Sequence, residues 1–198
     1  DAYMRRMGID YFENSRRATY AQRSYAIRNP GAWKGYGENV WGLTACDGPV
    51  DGTFMIDGRK RTFFDYAARG ASAHEARDDG TIAPTAAVSS LPFAPEIVLP
   101  AIDRLSGLHG ENLFGRYGFL DAFNATFQLE SVPLAGRVVA GVGWFDTDYL
   151  GIDQGPIVAM IENYRSELVW KTMRRSPHIR RGLDRAGFTG GWLGSAPR

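Results

Sequence analysis

An all-α fold, its helices joined by long loops that carry short β-hairpins, is what the sequence predicts. Apolar residues recur at helical spacing in separate segments, and prolines stand where helices begin or end. The stretches between lose all period while holding most of the glycines and tryptophans. The first helix is expected over residues 3–28, where Tyr11, Ala18, Ala21 and Tyr25 form one apolar face, with Asn29-Pro30-Gly31 as its stop. Residues 33–51 read as an irregular aromatic loop, and Thr53–Phe64 as a hairpin turning on Asp57-Gly58, a dipeptide suited to a type I′ turn. A helix opening at Pro84 ends by Pro92, and another follows Pro95 with Ile97, Val98, Ala101, Ile102 and Leu105 inward. Arg116–Asn124 is a short aromatic segment, and 127–146 has room for a pair of strands. One long helix should run from Pro156 to Arg175, with a short one after Pro177.

Composition narrows the chemistry. At 198 residues, with 44% hydrophobic and 23% charged, the chain can bury one sizeable core. The 23 basic and 22 acidic residues nearly cancel, so neither a nucleic acid nor an anionic membrane surface is the expected partner. Arg174, Arg175, Arg180 and Arg181 read as a solvated helix face. No apolar stretch approaches the roughly 20 residues that span a bilayer. Cys46 is the only cysteine, and His74, His109 and His178 lie far apart with no metal-ligand spacing. No metal and no cofactor are expected. The start at Asp1, without methionine or leader, reads as a cut, with any export signal upstream.

The absence of G-x-S-x-G, of a Walker-type GK[ST] and of G-x-G-x-x-G leaves carboxylates set among aromatics, which is the usual equipment for cleaving a glycosidic bond. Glu38, in Gly-Tyr-Gly-Glu-Asn-Val-Trp-Gly, is either a proton donor in a partly dry pocket or an acceptor for loop amides. Asp121, in Tyr117-Gly118-Phe119-Leu120-Asp121-Ala122-Phe123-Asn124, is either catalytic or a cap or turn residue. Asp153 stands before the long helix as a cap suited to the helix dipole, and Asp47 before Gly48-Pro49 is a turn former.

These stretches resemble the glucoamylase-like domain of glycoside hydrolase family 144, whose characterised members are endo-β-1,2-glucanases. Ile9–Thr19, the Gly35–Thr44 loop, Ala83–Ala87, Tyr117–Asn124 and Leu150–Pro156 carry the resemblance in order along the chain. It implies an (α/α)6 barrel of which this chain supplies the C-terminal half as part of a single domain, and a periplasmic or secreted protein. It also implies inverting hydrolysis of a β-1,2-linked glucan, with a non-catalytic scaffold or a transglycosylase as the rival outcomes. A related transglycosylase domain of cyclic β-1,2-glucan synthases is similar at the Glu38 and Asp121 positions. By that resemblance Glu38 is the general acid, Asp121 the base or water-positioning group, and Asp153 the reserve base. Trp33, Tyr36, Trp41, Phe119 and Phe123 become sugar walls, and Asn39, Asp47, Arg69, Asn124 and Gln154 bind sugar hydroxyls, each with core packing or structural bonding as its other reading.

Overall fold

The computed structural model describes residues 6–72 and 76–194. The first residues of the expected opening helix and His74 lie outside them. Helix α1 spans Tyr11–Arg28. It starts later than the apolar period suggests, because Gly8 takes φ +67° and Asp10 caps the helix by accepting the Glu13 N–H at 3.0 Å. Asn29, in the left-handed conformation, closes it by donating its N–H to Tyr25 O at 2.8 Å, as the Asn-Pro-Gly stop implies. The face turned inward is not the expected one. Tyr11, Ala18 and Ala21 are exposed, while Thr19 and Ala26 are buried. Much of the contact is polar: the Gln22 amide exchanges two hydrogen bonds with the Leu43 backbone (2.8 and 3.1 Å), and Arg16 donates to Phe93 O at 2.8 Å and pairs with Glu96 at 2.6 Å. An irregular loop has backbone groups to satisfy, and α1 meets it with polar side chains.

The loops contain more β-structure than an all-α fold allows. Strand β1 (Ala45–Cys46) is followed by β2 (Gly52–Ile56) and β3 (Arg59–Phe63), an antiparallel hairpin whose Asp57 (φ 48°) and Gly58 (φ 73°) make the expected two-residue turn. Strand β4 (Ala67–Ala68) pairs with β1, and β5 (Gly70–Ala71) with β6 (Ala76–Arg77). Farther on, β7 (Phe114–Gly115) pairs with β8 (Gly118–Phe119). Strands β9 (Phe123–Asn124), β10 (Arg137–Val139) and β11 (Gly143–Phe145) form a three-stranded antiparallel sheet in the order β10-β11-β9. Buried loop backbone must find partners, and short ladders supply them.

Helix α2 (Pro84–Val88) opens on proline, and α3 (Pro95–Leu108) buries Ile97, Val98, Ala101 and Leu105 as the period predicts. The expected single C-terminal helix is two. Helix α4 (Gly151–Ser166) begins before Pro156, and Glu167 breaks it in the left-handed conformation (φ 57°) before α5 (Leu168–Arg175) and α6 (Pro177–Arg185). Buried Asn163 bridges that break by accepting the Trp170 N–H at 3.0 Å. Two apolar clusters hold the whole together. One gathers α2 and α3 around Trp41, Phe119, Phe123, Phe145 and Ile157, and the other gathers Trp33, Phe63, Phe127 and Trp144 behind the hairpin. Gly42 lets the aromatic loop lie on α2: at φ +145° a Cβ there would sit 2.6 Å from Ala83 O.

Candidate active site

Asp121 occupies the seam between the two clusters, with Phe119 in one and Ala122 in the other. Strands β8 and β9 flank it closely, and its N–H donates to Asp148 O at 3.1 Å, so its backbone is held from both sides. Its side chain is buried, and Oδ2 accepts the Asp47 N–H at 2.8 Å. Asp153 does not cap α4. Leu150 holds the cap position, and Asp153, in the first turn, turns inward to face Asp121 in hydrogen-bonding contact. Its Oδ2 is buried and receives no amide or hydroxyl bond, so a proton held between the two carboxyls is what can satisfy the pair.

Asp146, just after β11, is buried beside them. It accepts the Thr147 N–H at 2.7 Å on Oδ1 and nothing on Oδ2. Asp47, Asp121 and Asp146 each bring one carboxyl oxygen within 4.8 Å of the others. Burial pushes Asp121 up to about 8, with Asp153 and Asp146 adding to the rise against the Asp47 amide. It pushes Asp146 up to about 6, helped by Asp148 and Asp47, and raises Asp153 and Asp47 as well. Burial together with the neighbouring Asp153 thus favours the protonated form of the Asp121–Asp153 pair.

Beside these groups opens a cavity of about 290 Å³, with Asp47, Asp121 and Asp153 in its lining, Thr85 and Ser89 on one wall, and the exposed side chains of Tyr66 and Ile152 at its edge. Tyr66, Asp146, Thr85 and Ser89 went unrecognised in the sequence. Asp146, directly after the apolar pair Trp144-Phe145, and Tyr66, after Phe63-Phe64-Asp65, carry the same aromatic–carboxylate proximity that singled out Asp121.

Of the expected site residues, the fold brings Asp47, Asp121 and Asp153 to this cavity. Gln154 and Phe119 lie behind it, joined by a bond from Gln154 Nε2 to Phe119 O at 2.6 Å that ties α4 to β8. Glu38 is elsewhere: exposed, outside the cavity lining, and ion-paired with Arg23 of α1, with half-buried Asn39 beside it. Several expected sugar contacts are structural instead. Trp33 packs on Phe63 beneath the Arg61 guanidinium, Trp41 and Phe123 are core residues, and Tyr36 donates its hydroxyl to Asp78 at 2.6 Å. Arg69 is buried and spends its N–H groups on Asp79 (2.8 Å) and on carbonyls including Cys46 and Phe64. The Asn124 amide donates to Asp79 O and Thr81 and accepts from Thr126 and Phe127. Large rings and polar groups inside a loop-rich fold are taken first by packing and backbone satisfaction.

No helix among the described residues is long and apolar enough to cross a membrane. Residues 1–177 match the family model described as "Putative glucoamylase". The chain is 34% identical over 176 residues to the exo β-1,2-glucooligosaccharide sophorohydrolase (non-reducing end) of Parabacteroides distasonis, an alignment covering 89% of this chain and 20% of that protein. The solved structure of a protein of the same description as the family, from Bacteroides uniformis, is 42% identical with a TM-score of 0.73, covering 94% of this chain and 37% of that one. The endo-β-1,2-glucanase of Chitinophaga pinensis, solved with sophorotriose and glucose, is 37% identical with a TM-score of 0.73, covering 93% and 37%. The chain thus spans about a fifth of the curated relative and just over a third of the solved ones, and over nearly all of its own length it belongs to the glucoamylase-like family.

Proposed function

We propose that this chain furnishes the proton-donating side of the cleft in an endo-acting β-1,2-glucan hydrolase built on an (α/α)6 barrel. The observation that carries the proposal is a buried Asp121 paired with Asp153 at a cavity of about 290 Å³ edged by a tyrosine. That volume is at the small end of ligand sites, enough for one sugar unit, and a tyrosine ring can pack on the C–H face of a pyranose. The names of the relatives, a sophorohydrolase and an endo-β-1,2-glucanase, support the substrate class.

Two carboxyls in hydrogen-bonding contact are closer than the about 5 Å of a retaining pair or the roughly 6.5–9.5 Å of an inverting one. They cannot straddle a glycosidic bond and act as one unit holding one proton. Asp121 is then the general acid toward the glycosidic oxygen, with Asp153 aligning the proton. This reverses the role that the family resemblance implies for Asp121. Glu38, exposed and paired with Arg23 of α1 outside the cavity lining, is given no role in this reading, and the base for the attacking water is assigned to the part of the barrel that this chain does not span. The full-length protein should release short oligosaccharides of mixed length from linear β-1,2-glucan, with inverted anomeric configuration in the first product. Asp121→Asn should lose about 10²- to 10⁴-fold in turnover. No turnover by the wild type would mean a scaffold, and retained configuration or cyclic products would mean a transglycosylase.

A further inference from the structure

We propose that Asp146 is a positioning residue for the acid, a buried carboxyl set behind Asp121 that holds the proton on it until the glycosidic oxygen takes it. This inference rests on the reading of Asp121 as proton donor. The placement is built into the sheet. Pairing of β11 with β9 matches Trp144 with Asn124 and Phe145 with Phe123, which sets Asp146 alongside the residues leading into β9, and its N–H donates to Ala122 O at 2.9 Å. Asp146 is 1% exposed and does not line the cavity, so its effect on substrate must pass through a neighbour. Oδ1 accepts the Thr147 amide, the Asp148 amide also acts on this carboxyl, and Oδ2 is buried without a hydrogen-bond partner although the carboxyl lies within 4.8 Å of Asp121 and Asp47. A buried carboxyl left half-satisfied is uncommon, and beside a proton donor it has a use.

The surroundings leave the negative charge of Asp146 to act on Asp121. Asp121 meets Asp153, the Asp47 amide, Asp146 and, more remotely, the Cys46 thiol. Asp146 meets Asp148, Asp47 and the amides of Thr147 and Asp148. Asp47 faces Asp65 and Asp148, and Arg69, the cation acting on this group among the described residues, is bound to Asp79. Ionised Asp146 disfavours a second charge on Asp121 and so adds to the effect of burial in favouring its protonated form.

The test is the pH profile of kcat/KM on linear β-1,2-glucan for the full-length enzyme. In Asp146→Asn the basic limb, where the acid loses its proton, should move to lower pH by about one unit, with KM unchanged. Asp146→Glu should restore the wild-type limb. If Asp146→Asn does not fold, Asp146→Ser, which keeps an acceptor for the Thr147 amide without the charge, is read the same way. A limb that stays in place in the folded uncharged variant overturns the role of Asp146 and leaves Asp121 as donor. A wild-type profile without a basic limb would overturn the reading of Asp121 itself.

Discussion

Arg69 and Asp121 show how far a residue's type is from its job. Both stand in stretches that resemble a carbohydrate-active family or near them, and both were candidates to touch substrate. Arg69 is enclosed by Asp79 and loop carbonyls, whereas Asp121 reaches the cavity. The difference is testable. Arg69→Met leaves the Asp79 carboxyl buried without its partner and should destabilise the full-length protein by about 3–5 kcal/mol in chemical denaturation. Asp121→Asn should lower turnover by about 10²- to 10⁴-fold while the melting curve stays cooperative. The aromatic setting of Asp121 was visible in the sequence because glycine and phenylalanine beside a carboxylate imply a dry environment. That Arg69 faces inward was not, since its partner lies ten residues away on a separate strand–loop passage and leaves no local pattern.

At the scale of elements, local chemistry reads well wherever it closes on itself. The β2–β3 hairpin follows from Asp57-Gly58, the end of α1 from Asn29-Pro30-Gly31, and the buried face of α3 from its period. Asp10→Ala, which removes the α1 cap, should cost about 1 kcal/mol in denaturant unfolding. The split of α4 from α5 did not read from the sequence, because a run of good helix formers hides a break made by a side chain, the Asn163 bond to Trp170 N–H. Glu167 at that break takes a left-handed conformation costly for a residue with a Cβ, so Glu167→Gly should stabilise the protein by about 1 kcal/mol, seen as a raised Tm. The inward face of α1 was misjudged for a related reason: spacing counts apolar side chains, and this helix docks largely through Gln22, Arg16 and Arg23.

The whole molecule makes its acidic site by placing separate loops at one seam, and that has a consequence for stability. Asp121 and Asp146 bind protons more tightly folded than unfolded, their values rising to about 8 and about 6 from about 3.9. The folded state then holds more protons than the unfolded state between these values, so their contribution to stability falls as pH rises from about 4 to 8. The full-length protein should melt at a lower temperature at pH 8 than at pH 5 from this source, and Asp121→Asn should flatten that slope; an unchanged slope in the variant would contradict it. By itself, the sequence determined the turns, caps and helical periods, the absence of nucleotide and nucleophilic-serine motifs, and the family, since each depends on residues close together or on ordered short stretches. Tertiary structure alone decided which carboxylates meet. Asp47, Asp121, Asp146 and Asp153 come from different loops and helices, and burial, which sets where the proton rests, is a property of the assembled seam.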